Sequence, residues 1–279
     1  MSRNQIITLG SCTALFLGLY LFASTKKPKE KVNTETTEQA LHDHSAEQPT
    51  EKLDIAAYLI EINAKINDKA TVQKIAEYEQ AKNYKALMAE YQKLDKPLAL
   101  AHYAVLMANA ENNPVLYVQA GDYNSTLMQT APDEKAKEFL SNNAVACYQK
   151  AVDIDSNNVD NKIRLASAFM ENGATPMQGV SILLEIVKRD STNENALLML
   201  GKFGIISGQY EKAIVRLEKI LYLHPQNSEA MLLLAEAYNG QGNKNKAIEL
   251  LERCKKTIDN PKAKEEIDNY IKSIKQPKS

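Results

Sequence analysis

The sequence predicts an all-α protein, a right-handed α-solenoid of helical hairpins that follows an N-terminal transmembrane helix. Three observations carry this prediction. The C-terminal half repeats itself every 34 to 35 residues, a glycine stands near the middle of each repeat, and an uncharged run of 18 residues lies near the N terminus. The 279-residue chain is 44% hydrophobic, which is ordinary for a globular protein and sufficient for a buried core.

The repeat covers residues 159–261, where three segments align: 159–193, 194–227 and 228–261. Each segment begins with apolar residues spaced as on one face of a helix. A glycine that can end this helix in the left-handed conformation follows, and then a second apolar helix. One hairpin of this kind cannot cover its own apolar stripe, so neighbouring hairpins must stack into a solenoid.

Helical periodicity also assigns side chains to faces of the first helix in each repeat. Leu200 is offset by about 200° around the helix from Leu198, so Leu200 is expected to point into the stack and Leu198 away from it. Small residues let the two helices of a hairpin approach closely. We expect Gly201 to face Ala213 in the middle repeat.

Small, large and turn residues recur in a fixed order and spacing: Leu200, Gly201, Ala213, Leu217 and Pro225, followed by Tyr238 and Ala247 in the next segment. This pattern resembles the tetratricopeptide repeat. The resemblance implies a right-handed superhelix in which the first helix of each repeat lines a concave groove. The chain departs from the family pattern in having no Trp, and Gly204 stands where the family usually has an aromatic residue.

Residues 53–158 are predicted to be degenerate helical hairpins, because the period fades there while helical segments continue. The expected helices are 54–67, 70–82, 84–94, 97–109, 114–130 and 133–155, separated by turns rich in Asn and Pro. Residues 262–279 are predicted to form a capping helix and tail. Ile267, Tyr270, Ile271 and Ile274 share one stripe of that helix, which suits covering the last repeat.

Residues 6–23 carry no charge, and a helix of that length reaches about 27 Å, close to the thickness of a bilayer core. Residues 1–23 are therefore predicted to be a transmembrane anchor. Cleavage as a signal sequence is the alternative, but no position near Ala23 has small residues at both −3 and −1. Residues 9–12 resemble a lipoprotein attachment box. The longer apolar run follows Cys12, which favours a cysteine inside the span.

The layout of anchor, linker and repeats resembles bacterial envelope proteins of the family. This resemblance implies a single-pass protein of the bacterial inner membrane. Residues 24–52 are predicted to be a flexible linker, since they are polar and have few large apolar side chains. Four lysines of this linker closely follow the span, which favours a cytoplasmic body. A short charged start before an apolar run is also typical of export signals, so the periplasmic side stays open.

The sequence contains no recognisable catalytic, cofactor or metal site. It has no phosphate loop, dinucleotide fingerprint, nucleophile elbow or zinc-protease motif, and its three cysteines are far apart. His42 and His44 form a pair in the linker without further ligands, and His102 has the setting of a packing residue. The formal net charge of −1 does not favour nucleic-acid binding. We therefore expect a non-enzyme.

The predicted function is a membrane-anchored scaffold that binds a segment of a protein partner in the concave groove, within an envelope assembly. The resemblance places twelve residues in this groove: Asp160, Ile163, Ser167, Met170, Asn195, Leu198, Lys202, Ile205, Glu229, Leu232, Glu236 and Asn239. Lys202 is the only basic residue among them, which disfavours the capture of a chaperone's C-terminal carboxylate. The alternative function is chaperone-like holding of unfolded or secreted substrates at the membrane.

Overall fold

The structure is a computed structural model that describes residues 52–173 and 175–276. Within these ranges it contains thirteen helices and no strand, which confirms the all-α prediction. The helices are α1 Ile55–Ala64, α2 Lys69–Gln80, α3 Tyr84–Lys93, α4 Pro97–Glu111, α5 Pro114–Met128, α6 Glu134–Ile154, α7 Val159–Asn172, α8 Pro176–Arg189, α9 Glu194–Ile206, α10 Tyr210–Leu223, α11 Ser228–Gly240, α12 Lys244–Thr257 and α13 Pro261–Lys275.

The predicted anchor, the linker up to residue 51 and the last three residues lie outside the described residues. Among the helices of the described ranges, none combines the length and the apolar character that crossing a bilayer requires.

Asparagine side chains begin the first helix of each repeat. The Asn193 side chain accepts a hydrogen bond from the Ala196 backbone N–H at 3.0 Å, and Asn227 accepts one from Ala230 at 2.8 Å. Such caps satisfy backbone donors that have no partner inside the helix, and each is worth about 1 kcal/mol. The repeat boundaries therefore have a local cause.

The glycine turns adopt the left-handed conformation that the sequence predicts. Gly173, Gly208 and Gly242 have φ values of +74°, +72° and +89°. After Gly208, the Gln209 N–H donates to the carbonyl oxygen of Gly204 at 2.7 Å, which closes the end of α9. Glycine adopts this conformation without the clash that a Cβ atom would introduce.

Two upstream turns repeat this geometry without glycine. Lys82 and Asp95 have φ values of +51° and +52°. The hydrogen bonds also match, because Asn83 N–H donates to Tyr78 O at 2.8 Å and Lys96 N–H donates to Tyr91 O at 2.9 Å. The hairpin geometry therefore continues upstream after the glycine signal in the sequence has ended.

The three C-terminal repeats are the hairpins α7–α8, α9–α10 and α11–α12, and α13 packs on α12. First helices of successive repeats also contact each other, α7 with α9 and α9 with α11. Leu200 and Leu234 are 1% and 3% exposed, as the periodicity predicts for residues inside the stack. Burial of leucines of this kind holds each repeat to its neighbour, and each contributes about 2–5 kcal/mol.

The expected pairing of Gly201 with Ala213 is wrong. A Cβ atom at Gly201 would lie 2.9 Å from the side chain of Leu217, and one at Gly204 would lie 3.1 Å from the Ala213 Cβ. The helices are antiparallel and reverse at Gly208, so residues that face each other lie about equally far from that turn. Gly204 and Ala213 meet this condition, whereas Gly201 is one helical turn too far away.

Candidate functional site

The candidate site is the face of the first helices that carries the twelve predicted groove residues. We call it the groove face. α7 contacts α9 and α9 contacts α11, whereas within the described residues the second helices α8, α10 and α12 make no comparable contact with one another. The first helices therefore lie on the inner side of the curve. Asp160 and Asn195 are exposed, Ile205 is buried at 8% exposure, and the other nine residues are partly exposed. The groove face is therefore accessible but shares its apolar side chains with the core.

Leu198 and Leu232 lie in equivalent positions of α9 and α11. The sequence predicts that both point away from the stack, yet both are partly buried and pack against the main apolar core. The helices lie close enough that a side chain on the groove face still contacts the neighbouring repeat. Shortening these leucines will consequently lower stability as well as change the surface.

Lys202 of α9 and Glu236 of α11 stand 34 residues apart, in the same register of successive repeats. Burial raises the pKa of the Glu236 carboxyl, and the positive charge of Lys202 partly opposes this rise. Within the described part of the chain, the Glu236 carboxylate has neither a hydrogen-bond donor nor an ion-pair partner. It is a partly exposed carboxyl on the groove face.

Tyr270 extends this register into the capping helix, which sequence reasoning did not predict. It lies 34 residues after Glu236, and its hydroxyl is 3.5 Å from the Asn239 side-chain nitrogen. Burial, followed by the negative charge of Glu236, raises the pKa of Tyr270 to about 12. The 34-residue spacing continues into α13 and could have indicated that Tyr270 lies on the groove face. Helical periodicity within α13 instead groups Tyr270 with the apolar stripe.

A second concave feature lies upstream and was also missed. A cavity of about 580 Å³ opens between α3, α4 and α5. Met88, Leu100, Met107, Leu116 and Tyr123 contribute to its lining. In this part of the chain the second helices α4 and α6 contact each other. The second helices of the described C-terminal repeats make no comparable contact. The cavity depends on how the hairpins are arranged, and helical periodicity does not report that arrangement.

His102 and the two described cysteines have packing roles, whereas His224 is exposed with its Nε2 3.1 Å from a carboxylate oxygen of Glu194. His102 is half-buried with its ring edge-on to Tyr103 at 5.2 Å, and burial lowers its pKa. Cys147 and Cys254 are buried, and burial raises the pKa of Cys147 to about 11. Among the described residues, no cluster of three His, Cys, Asp or Glu side chains could hold a metal ion. His42 and His44 lie outside those residues.

Residues 205–264 match the family model described as tetratricopeptide repeat. These residues run from the end of α9 to the first turn of α13 and include the left-handed glycines Gly208 and Gly242. This segment is therefore identified as tetratricopeptide repeat, and the rest of the described chain shares its helical fold. The departures noted in the sequence, Gly204 and the missing tryptophan, leave the period intact.

Two curated relatives are similar in sequence to part of this chain. Each is a peroxisomal targeting signal receptor, one from Candida albicans and one from Debaryomyces hansenii. Each is 40% identical over 88 residues, which is 30% of this chain and 14% of the receptor. The chain thus spans about one seventh of the length of these relatives.

Solved structures of tetratricopeptide repeat proteins share the fold. One from Parabacteroides merdae has a TM-score of 0.52 at 15% identity, covering 70% of this chain and 74% of that one. One from Thermus thermophilus has a TM-score of 0.50 at 15% identity, covering 69% and 97%. These values support a solenoid of stacked helical hairpins.

Proposed function

We propose that this tetratricopeptide repeat protein is a membrane-anchored scaffold that binds a segment of another protein in the groove face, as part of a bacterial envelope assembly. The observation that carries the proposal is that Leu198, Leu232 and Glu236 are partly exposed on the same face of α9 and α11. Apolar side chains flanked by polar groups are the usual composition of a surface that holds a peptide. The likeness of 88 residues to signal receptors also favours recognition of a protein segment.

The groove function is tested by replacing both Leu198 and Leu232 with Ala in the full chain and isolating bound proteins from solubilised membranes. The matched control replaces Val215 and Tyr222, which are 67% and 85% exposed on α10, also with Ala. The proposal expects the first variant to lose its partner and the second to keep it. The reverse result would place binding on the outer side of the solenoid.

Anchoring is proposed for residues 6–23, with the inner membrane of a bacterium as the location. The uncharged length of this segment supports the proposal. After cell disruption and an alkaline carbonate wash, the full-length protein should stay in the membrane pellet. Release as a shortened species would refute the anchor. Protease added to spheroplasts then decides between a protected, cytoplasmic body and a digested, periplasmic one.

Chaperone-like holding of unfolded or secreted substrates is the second candidate function. Partly exposed apolar residues on the groove face would also serve transient binding of many segments. Crosslinking separates the two functions, because a scaffold yields one stoichiometric partner and a holding protein yields a broad set.

A further inference from the structure

We propose that the C-terminal part of the groove face selects a peptide segment that carries a lysine or arginine between apolar residues, with Glu236 as the acceptor of the basic side chain. This inference rests on the proposed function and specifies the chemistry of the partner.

The first support is the charge of the face formed by α9, α11 and α13. Positions that correspond to groove residues carry three carboxylates, Glu229, Glu236 and Glu266, against one ammonium group, Lys202. All four side chains are partly exposed and can act on a bound segment. An acidic partner would meet the net negative charge of these four side chains. A basic one is attracted to it, and such complementarity decides specificity more than total affinity.

The second support is the state of Glu236 itself. Glu236 is partly exposed, and burial raises the pKa of its carboxyl. Within the described part of the chain it has no side-chain hydrogen bond or ion pair, while Lys202 acts on it only through its charge. An ammonium or guanidinium group from a ligand would replace solvent at this partly exposed carboxylate and give it a charged hydrogen-bond donor. Hydrogen bonds between ionised groups are about twice as strong as neutral ones.

The third support is what surrounds this carboxylate. Leu232 precedes Glu236 by about one helical turn and Leu198 is its counterpart in α9, while the charge of Glu236 acts on Tyr270 of the capping helix. A side chain with a long aliphatic stem and a charged end fits such surroundings, because its stem can pack while its end reaches the carboxylate. Lysine and arginine have this form.

The test begins with random peptides displayed on phage and selected against the full chain. We expect the enriched peptides to contain lysine or arginine next to apolar residues. A synthetic copy of one enriched peptide and a second copy, with norleucine at the basic position, are then titrated against the wild type, Glu236→Gln and Glu249→Gln. Glu249 is exposed on α12 and serves as the matched control.

In the wild type and in Glu249→Gln, loss of the basic group should weaken binding about tenfold or more, as expected for a hydrogen bond to a charged group. In Glu236→Gln the two peptides should bind alike. Equal discrimination in all three proteins, or enriched peptides without a basic residue, would overturn the assignment of Glu236 and leave the groove function intact. Failure to enrich any peptide relative to the variant with Ala at positions 198 and 232 would overturn the groove function as well.

Discussion

Gly179 of α8 gives the sharpest test of how the hairpins pack. A Cβ atom at this position would lie 2.3 Å from the Ala166 carbonyl oxygen of α7 and 2.9 Å from the Met170 side chain. The first contact is with the backbone, which cannot rotate away. We therefore expect Gly179→Ala to force α7 and α8 apart.

The magnitude follows from two opposing effects. Real Cβ contacts almost never fall below 3.0 Å, so the hairpin must open by at least 3.0 − 2.3 = 0.7 Å. Overpacking against backbone that cannot rotate away lies at the upper end of the usual range, about 2–3 kcal/mol, and alanine returns about 1 kcal/mol through its better helix propensity. The net loss is about 1–2 kcal/mol. At about 2–4 °C per kcal/mol for a chain of this size, Tm should fall by about 2–8 °C.

The assay is thermal unfolding of the full chain followed by circular dichroism. Ser181→Ala is the control, since Ser181 is exposed on the same helix and the change should leave Tm nearly unaltered. A Gly179→Ala protein that melts at or above the wild-type temperature would show that α7 and α8 do not approach as described.

Three further outcomes are expected. Lys82→Gly should raise the free energy of unfolding by about 0.5–1 kcal/mol in denaturant titrations. Glycine removes the steric strain of a left-handed residue with a Cβ atom, and this gain outweighs the added flexibility of the unfolded chain. A decrease would argue against the left-handed turn. The raised pKa of Glu236, which faces Lys202 and Tyr270, means that its ionisation lowers stability as pH rises above the ordinary carboxyl value of about 4.3. Glu236→Gln should therefore raise Tm at neutral pH and lose this advantage in acid, and a lower Tm at neutral pH would contradict it. Cys147 should resist iodoacetamide in the folded protein, as peptide mapping would show, because burial raises its pKa to about 11; rapid labelling would mean that the α5–α6 hairpin opens readily.

The regular part of the solenoid was predictable because glycine, small and apolar residues recur at the same positions of each repeat. Helices upstream of residue 159 were also predictable from local periodicity and Pro or Asn punctuation. Their shared turn geometry was not, because Lys82 and Asp95 occupy the left-handed positions where glycine would have given a signal. A sequence pattern reports such a turn only when the usual residue is present.

The sequence predicts which residues share the groove face, but it does not predict how far those residues are buried. Periodicity placed Leu198, Lys202 and Glu236 on one face, but the partial burial of that face depends on the distance between neighbouring repeats. The position of Tyr270 beside Asn239 depends on how α13 continues the stack. These are properties of packing, which local sequence does not encode.

The central claim is that the inner side of the solenoid holds a protein segment, and crosslinking within cells tests it most directly. A photoreactive amino acid is placed at position 232 on the groove face or at position 222 on the exposed side of α10. The account predicts a discrete crosslinked protein from position 232 and none from position 222. A partner captured only from position 222 would contradict it.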